Sequence, residues 1–133
     1  VERHRLRLST FISEHISILF GNEEELTSLV QCDSNEAILV LSGQVDELIV
    51  TRGPDGAFIG AGQECYEIPA KPQGLVLDTT GAGDLFAAGY LFGRTNGFDL
   101  CQAGLLASLA AGEVITHIGA RPQQDLRSLA ENI

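Results

Sequence analysis

The chain has 133 residues, which is enough for one modest domain with its own core. It carries 18 acidic and 8 basic residues. This balance argues against nucleic-acid binding, although backbone N–H groups and Mg²⁺ can still hold a nucleotide. No apolar run reaches the length of a membrane span. The three cysteines are scattered without metal-ligand spacing, which is typical of a reducing compartment, so we expect a cytoplasmic protein that binds no membrane.

The first half of the chain alternates between helical and strand-like patterns. Apolar spacing predicts a helix over Val1–His15, and the β-rich run Ile16–Phe20 predicts a buried parallel strand. A helix then runs from Asn22 to about Gln31. We place the apolar segment Asn35–Leu41 as a helix, because parallel strands need a crossover connection. Glu47–Thr51 is predicted as the next strand.

The second half predicts a hairpin, one further strand at Leu75–Leu77 and three helices. We expect Gly89 to allow close contact between helices, and the side chains of Phe86, Tyr90 and Leu91 to form a packing face. The predicted hairpin strands and helices are Ala57–Gly60, Glu64–Ile68, about Ala82–Gly93, Asp99 to about His117, and Gln123–Asn132.

The turn that follows Leu77 is a candidate anion site. Gly81 and Gly83 leave the backbone bare, so a phosphate can approach the N–H groups at the positive end of the following helix. Asp84 adds a carboxylate that is suited to take a proton from a hydroxyl attacking the held phosphoryl group. The alternative is that Asp84 only complements the helix dipole.

The nine residues from Asp78 to Phe86, Asp-Thr-Thr-Gly-Ala-Gly-Asp-Leu-Phe, resemble the C-terminal signature of the PfkB (ribokinase-like) carbohydrate and nucleoside kinases. All nine positions fit that signature. The resemblance implies ATP-dependent phosphorylation of a hydroxymethyl group on a sugar or nucleoside, of the adenosine or ribose type. It also implies that Asp84 is the catalytic base and that Gly81, Ala82 and Gly83 form the anion hole. The strings Asp-Leu-Phe-Ala-Ala-Gly and His-Ile-Gly-Ala-Arg-Pro are most similar to bacterial adenosine-kinase-type members.

Asn22 and Glu25 have two compatible interpretations. Asn22 is a good N-cap and Glu25 falls at the third helical position, which is the spacing of a capping box. The resemblance implies that the same Asn-x-x-Glu pair organises Mg²⁺ and the phosphates of ATP. Glu25 is therefore expected both to cap the helix and to hold a water bound to the metal.

The segment from Thr51 to Gly56 reads as a turn containing two glycines. The resemblance implies that Thr51, Arg52, Gly53 and Gly56 lie against the phosphates and ribose of the nucleotide. Arg52 occupies a position that holds Lys or Leu in the family. It either reaches a phosphate or lies in solvent, and both alternatives stay open.

The resemblance further implies a monovalent cation, K⁺, held mainly by backbone oxygens. Asp78 and Thr80 match one side of that site, and a second set matches the other side: Val114, His117, Gly119 and Gln123. Ser108 falls where family members place a small polar residue near the adenine. The alternative for Ser108 is a hydrogen bond within its own helix.

The order of elements predicts an α/β fold with a mainly parallel sheet flanked by helices, and the resemblance implies that this fold is ribokinase-like. Ligands bind at the carboxyl ends of strands in such sheets, and Asn22, Thr51 and Gly81 each follow a predicted strand. Residues 1–133 are then the C-terminal nucleotide-binding and catalytic portion of a kinase, with the N-terminal half and its lid absent.

The sequence leaves one alternative to a kinase open and excludes another. A non-catalytic nucleotide-binding module is the alternative for the isolated chain, because half of the acceptor pocket is expected to lie elsewhere. A dinucleotide-binding unit is excluded, because no Gly-x-Gly-x-x-Gly follows a strand with an acidic residue about 20 positions later. A small-molecule sugar or nucleoside is the expected partner, and we expect a homodimer for the full-length protein.

Overall fold

The computed structural model describes residues 2–131 and 133. Val1 and Asn132, the outer ends of the first and last predicted helices, lie outside the described residues. Among the described residues, no helix combines the length and apolarity needed to cross a bilayer. In chain order the elements are α1 (Glu2–His15), β1 (Ile18–Asn22), α2 (Glu23–Val30), α3 (Ser34–Ser42), β2 (Glu47–Thr51), β3 (Ala57–Ala61), β4 (Glu64–Ile68), α4 (Ala82–Thr95), α5 (Leu100–Val114) and α6 (Leu126–Ala130).

The predicted strand at Leu75–Leu77 is wrong. Its backbone is irregular, and the Leu75 side chain is 80% exposed. The N–H groups of Leu77 and Asp78 donate to the carbonyl of Ile115, at 2.8 and 3.3 Å. An apolar β-rich run becomes a strand only where a neighbouring strand can pair with it. Here the carbonyl of Ile115, at the end of α5, accepts the hydrogen bonds that a neighbouring strand would otherwise accept.

Two helical predictions also need correction. The last helix is shorter than predicted, because Asp125 caps it by accepting a hydrogen bond from Arg127 N–H. Leu91, placed on the packing face of α4, is 41% exposed, whereas Phe86 and Tyr90 are buried as predicted. The predicted cap of α5 is confirmed, since Asp99 and Gln102 form a capping box.

The four strands form one mixed sheet in the order β1-β2-β3-β4. β1 and β2 are parallel, and their register pairs Asn22 with Thr51. The carboxyl ends of these two strands therefore meet at one edge, as the sequence predicted for Asn22 and Thr51. β3 and β4 are the predicted hairpin strands, joined by a turn at 62–63.

The described residues divide into two compact units. The first unit comprises the residues up to Arg52 together with Phe58–Cys65, and the second unit comprises Gly53–Ala57 and the residues from Tyr66 onward. In the first unit α2, α3 and β2 enclose an apolar cluster, and β1 supplies a further side chain, Leu19, at its margin. The buried members of that cluster are Leu26, Leu41, Leu48 and Val50.

The second unit is organised by the contact between α4 and α5. A Cβ atom at Gly89 would lie 2.9 Å from the Cα of Ala107, and one at Gly93 would lie 3.0 Å from the Cα of Ala103. Ala103 and Ala107 are fully buried. Because small residues face each other on both helices, the two backbones approach more closely than larger side chains would allow.

Replacing Gly89 with Ala should destabilise the protein, although the same change in a free helix would stabilise it. The gain in helix propensity is at most about 1 kcal/mol. The new methyl group meets the backbone of α5, which cannot swing aside, and overpacking of this kind costs about 1–3 kcal/mol. We expect a net loss of about 1 kcal/mol, measurable by urea unfolding.

Gly43→Ala is the matched control for that prediction. Gly43 has a φ of −79° and its hypothetical Cβ would lie 3.5 Å from the carbonyl oxygen of Val40, which is an ordinary contact. Equal stabilities of the Gly89→Ala and Gly43→Ala variants would contradict the close-contact explanation.

Candidate active site

Asn22 and Glu25 form a reciprocal capping box at the start of α2. The Asn22 side-chain oxygen accepts from Glu25 N–H at 2.8 Å, and the Glu25 carboxylate accepts from Asn22 N–H at 2.9 Å. The structural interpretation of this motif is therefore confirmed. Both residues are exposed, and the box engages only Oε2 of Glu25. The pair can cap the helix and still offer a carboxylate oxygen to a cation or to its bound water.

Arg52 follows β2 and is held in place by its neighbours. Its Nε lies 3.1 Å from Oε1 of Glu23, and the hydroxyl of Ser34 donates to the same oxygen at 2.8 Å. The guanidinium carbon lies 5.9 Å from the ring centroid of Phe58. Only 20% of the Arg52 side chain is exposed. The alternative that Arg52 simply lies in solvent is therefore wrong, and a role at a phosphate stays a prediction.

Gly53 is the first residue of a short 3₁₀ turn and Gly56 follows that turn. Both have positive φ, at +55° and +91°. A Cβ atom at Gly56 would collide with the carbonyl oxygen of Ile68. Gly56 is thus required by a close backbone approach inside the second unit. No described heavy atom lies within 4 Å of the Cβ position of Gly53, so that side of the turn is open.

The turn before α4 has the geometry expected of an anion site. Gly81 is the N-cap, with a φ of +80°, and no side chain caps it. Ala82 N–H donates to the carbonyl of Thr79 at 3.2 Å, so one of the three predicted anion-hole donors is partly engaged. Gly83 and Asp84 are exposed in the first turn, where N–H groups lack acceptors within the helix. The positive end of α4 is therefore open to an anion.

Asp78 connects this turn to the loop after α5. One carboxylate oxygen accepts from Thr80 N–H at 2.9 Å, and the other accepts from Gly119 N–H at 3.1 Å. The Thr80 hydroxyl, together with these two N–H groups, holds the pKa of Asp78 below its ordinary value. The two predicted sides of the monovalent cation site therefore meet inside the second unit.

Glu113 is a residue that the sequence analysis missed. It lies in the last turn of α5 and is 2% exposed. Its Oε1 accepts from Gln123 N–H at 2.9 Å and lies 3.2 Å from Nε2 of His117. His117 thus pairs with a carboxylate as well as lying near a helix end. The signal that could have revealed Glu113 is its charge within an otherwise apolar helix.

Ser108 is buried and forms a hydrogen bond outside its own helix. It is 4% exposed, and its hydroxyl donates to the carbonyl of Pro69 at 2.6 Å. The alternative of a hydrogen bond within its own helix is therefore wrong. A position near an adenine stays a prediction.

The donor set fits the ions that the resemblance implies. Among the residues that the structure describes, no group of three His, Cys, Asp or Glu side chains is placed to hold a metal. K⁺ needs oxygen ligands rather than such a cluster, and backbone carbonyls near Val114 are of that kind. The carbonyls of Gly112 and Glu113 already accept from Gln73 N–H and Thr116 N–H. Mg²⁺ usually keeps several waters and takes one or two carboxylates, which Glu25 can supply.

Comparison with known proteins shows which protein family the chain belongs to. Residues 3–126 match the family described as pfkB family carbohydrate kinase. The chain belongs to this family, and its fold is ribokinase-like.

Three relatives illustrate the similarity. A nucleoside kinase of Methanocaldococcus jannaschii is 34% identical over 113 residues, which cover 83% of this chain and 36% of the relative. The crystal structure of adenosine kinase from Sinorhizobium meliloti has a TM-score of 0.91, with 36% identity over 99% of this chain and 41% of that one. Arabidopsis thaliana ribokinase complexed with ribose and ATP has a TM-score of 0.81 and 25% identity, covering 90% of this chain and 41% of that one. The chain thus spans well under half the length of these relatives.

Replacing Asp78 with Asn should lower the melting temperature by a few degrees at neutral pH. A carboxylate with a depressed pKa contributes stability above its unfolded pKa of about 3.9, and this contribution is lost as the pH falls through the folded value. The difference in melting temperature between the variant and the wild type should therefore shrink between pH 6 and pH 3. Thermal melts across that range check this, and a constant difference would contradict it.

Proposed function

We propose that the protein containing this chain transfers the γ-phosphoryl group of ATP to a hydroxymethyl group of a sugar or nucleoside. The observation that carries the proposal is the turn before α4. It combines a left-handed glycine N-cap, an open helix N-terminus and an acidic residue, Asp84, in the first helical turn. Membership of a carbohydrate kinase family supports phosphoryl transfer. In this proposal residues 1–133 form the nucleotide-binding and catalytic portion.

Within the first unit, we assign Asn22 and Glu25 to Mg²⁺ and to the phosphates. Thr51 lies opposite Asn22 in the register of β1 and β2, so both belong to one edge of the sheet. Arg52 adds a positive charge next to that edge, and its contact with Glu23 limits the orientations of the guanidinium. These residues of the first unit hold the nucleotide. In the second unit, Gly53 and Gly56 are assigned to the nucleotide as well. When bound, Mg²⁺ neutralises charge on the phosphate oxygens.

Within the second unit, we assign the chemical step to the start of α4. Asp84 accepts the proton of the acceptor hydroxyl as the hydroxyl oxygen attacks the γ-phosphorus, and the bond from that phosphorus to ADP breaks. The N–H groups of Gly81, Ala82 and Gly83 donate to the oxygens of the transferring phosphoryl group, where negative charge is held. Asp78, Thr80 and the loop from Val114 to Gln123 hold K⁺, which supports the geometry of this turn. Ser108 lies near the adenine.

Replacing Asp84 with Asn should lower turnover by about 10²-fold or more, because Asn cannot accept the proton. The fold should be unchanged, since the side chain is exposed. Asp99→Asn is the matched control: it removes a carboxylate from the start of α5, and Asn caps helices as well as Asp does. Steady-state assays of both variants check the assignment. Turnover of the Asp84 variant within a few-fold of wild type would refute it.

Replacing Glu25 with Gln separates its two roles. Gln retains an oxygen that can accept from Asn22 N–H, so the capping box and the melting temperature should be preserved. The negative charge is lost, so we expect the Mg²⁺ concentration for half-maximal activity to rise by about tenfold, which corresponds to 1.4 kcal/mol. Glu24→Gln, a change in the same helical turn, should leave it unaltered. If the activities of the two variants depended equally on Mg²⁺, Glu25 would act only as a helix cap.

The experiment that tests the proposal combines binding and turnover. Calorimetry of Mg·ATP with and without K⁺ is paired with phosphoryl transfer to adenosine and to ribose, which are named in the similar structures. Transfer to either acceptor supports the proposal and identifies the substrate class. A second candidate, a nucleotide-binding module without activity, is favoured for the isolated chain because the chain covers only 36% of the nucleoside kinase relative. Binding of Mg·ATP without transfer by the isolated chain would favour that candidate. Binding without transfer by the complete natural polypeptide would instead refute the proposed kinase activity.

A further inference from the structure

Glu113 is the most deeply buried acidic residue among those that the structure describes. It is 2% exposed, at the end of an apolar helix. Its Oε1 is shared by Gln123 N–H and the imidazole of His117, while its Oε2 has no hydrogen-bond partner among the described residues. Burying a carboxylate is costly unless it is paired. A helix that needed only packing at this position would be more stable with an apolar side chain.

The partners of Glu113 belong to a single loop. His117 lies at the start of the segment 117–123, and Gln123 lies at its end. Between them, Gly119 N–H donates to Asp78 at 3.1 Å. Two carboxylates therefore anchor one loop at three points. Glu113 contacts both ends of that loop.

This loop packs directly on the candidate anion site. A Cβ atom at Gly81 would lie 2.6 Å from the Cβ of Ala120 and 3.1 Å from its Cα. Gly81 is the N-cap of α4, so its position determines where the first N–H groups of that helix point. Ala120 thus leaves no room for a side chain at Gly81, and the loop lies close against the turn.

We propose that Glu113 is a positioning residue for the phosphoryl-transfer step: it anchors loop 117–123, and through the Ala120–Gly81 contact it sets the placement of the anion-binding turn. The inference rests on the proposed function. A carboxylate suits this position because Gln123 N–H donates to Oε1 and the imidazole of His117 can donate to the same oxygen. An amide at position 113 would replace one oxygen with an NH₂ group, whose two N–H groups would need acceptors in a buried position.

The test uses Glu113→Gln in the complete natural polypeptide. We expect kcat to fall about tenfold or more while KM for ATP changes by less than about threefold, because misplacement of catalytic groups by a fraction of an ångström affects the chemical step most. Hydrogen exchange gives a readout independent of activity: the Gln123 amide should exchange faster in the variant. Glu113→Asp, which retains the charge, should recover part of kcat. Glu131→Gln, an exposed carboxylate of the same unit, is the matched control and should change neither.

A second variant keeps the test decisive if Glu113→Gln does not fold. Ala120→Gly removes the methyl group that meets Gly81 and leaves Glu113 untouched. It should also lower kcat. If Glu113→Gln does fold, the effects of the two changes on kcat should be less than multiplicative in the double variant, because both act through one contact. If the wild type is active and either folded variant has an unchanged kcat, the inference is wrong. A wild type that transfers phosphate to no acceptor would instead refute the proposed function.

Discussion

The second unit depends on the left-handed conformation of one glycine, Gly81. With a φ of +80° the chain turns sharply into α4, and the absence of a Cβ leaves room for Ala120. Any other residue would meet both a backbone penalty and a collision. The same conformation leaves the first N–H groups of α4 without a side-chain cap. A single backbone requirement thus both starts the helix and leaves its positive end open to a ligand.

In the proposed function, this acidic chain recognises phosphate through backbone N–H groups rather than through clustered basic side chains. The net charge is −10, and the long-range field therefore repels anions. Local N–H groups at the start of α4 and the paired guanidinium of Arg52 act at short range, where solvent screening matters less. A nucleotide that binds together with a divalent cation is compatible with the negative net charge of the chain. The cation neutralises part of the phosphate charge before the nucleotide meets the protein.

Local signals in the sequence predicted local structure correctly. The capping boxes at Asn22 and Asp99 and the close contact at Gly89 follow from residue types and spacings within one turn of helix. The strand at Leu75–Leu77 failed because pairing depends on a neighbour that the segment itself cannot specify. The contacts of Arg52 with Glu23 and of Glu113 with Gln123 join residues 29 and 10 positions apart along the chain, so no pattern within a single element could reveal them.

The parallel register of β1 and β2 restricts where this sequence can gain or lose residues. Asn22 and Thr51 are paired across two strands whose side chains alternate between the faces of the sheet. Loss of one residue within β1 would shift every later side chain of that strand to the opposite face and separate the two polar ends. The connection between α2 and α3, at 31–33, carries no such constraint. Length variation during evolution should therefore accumulate there, while the strands keep their length.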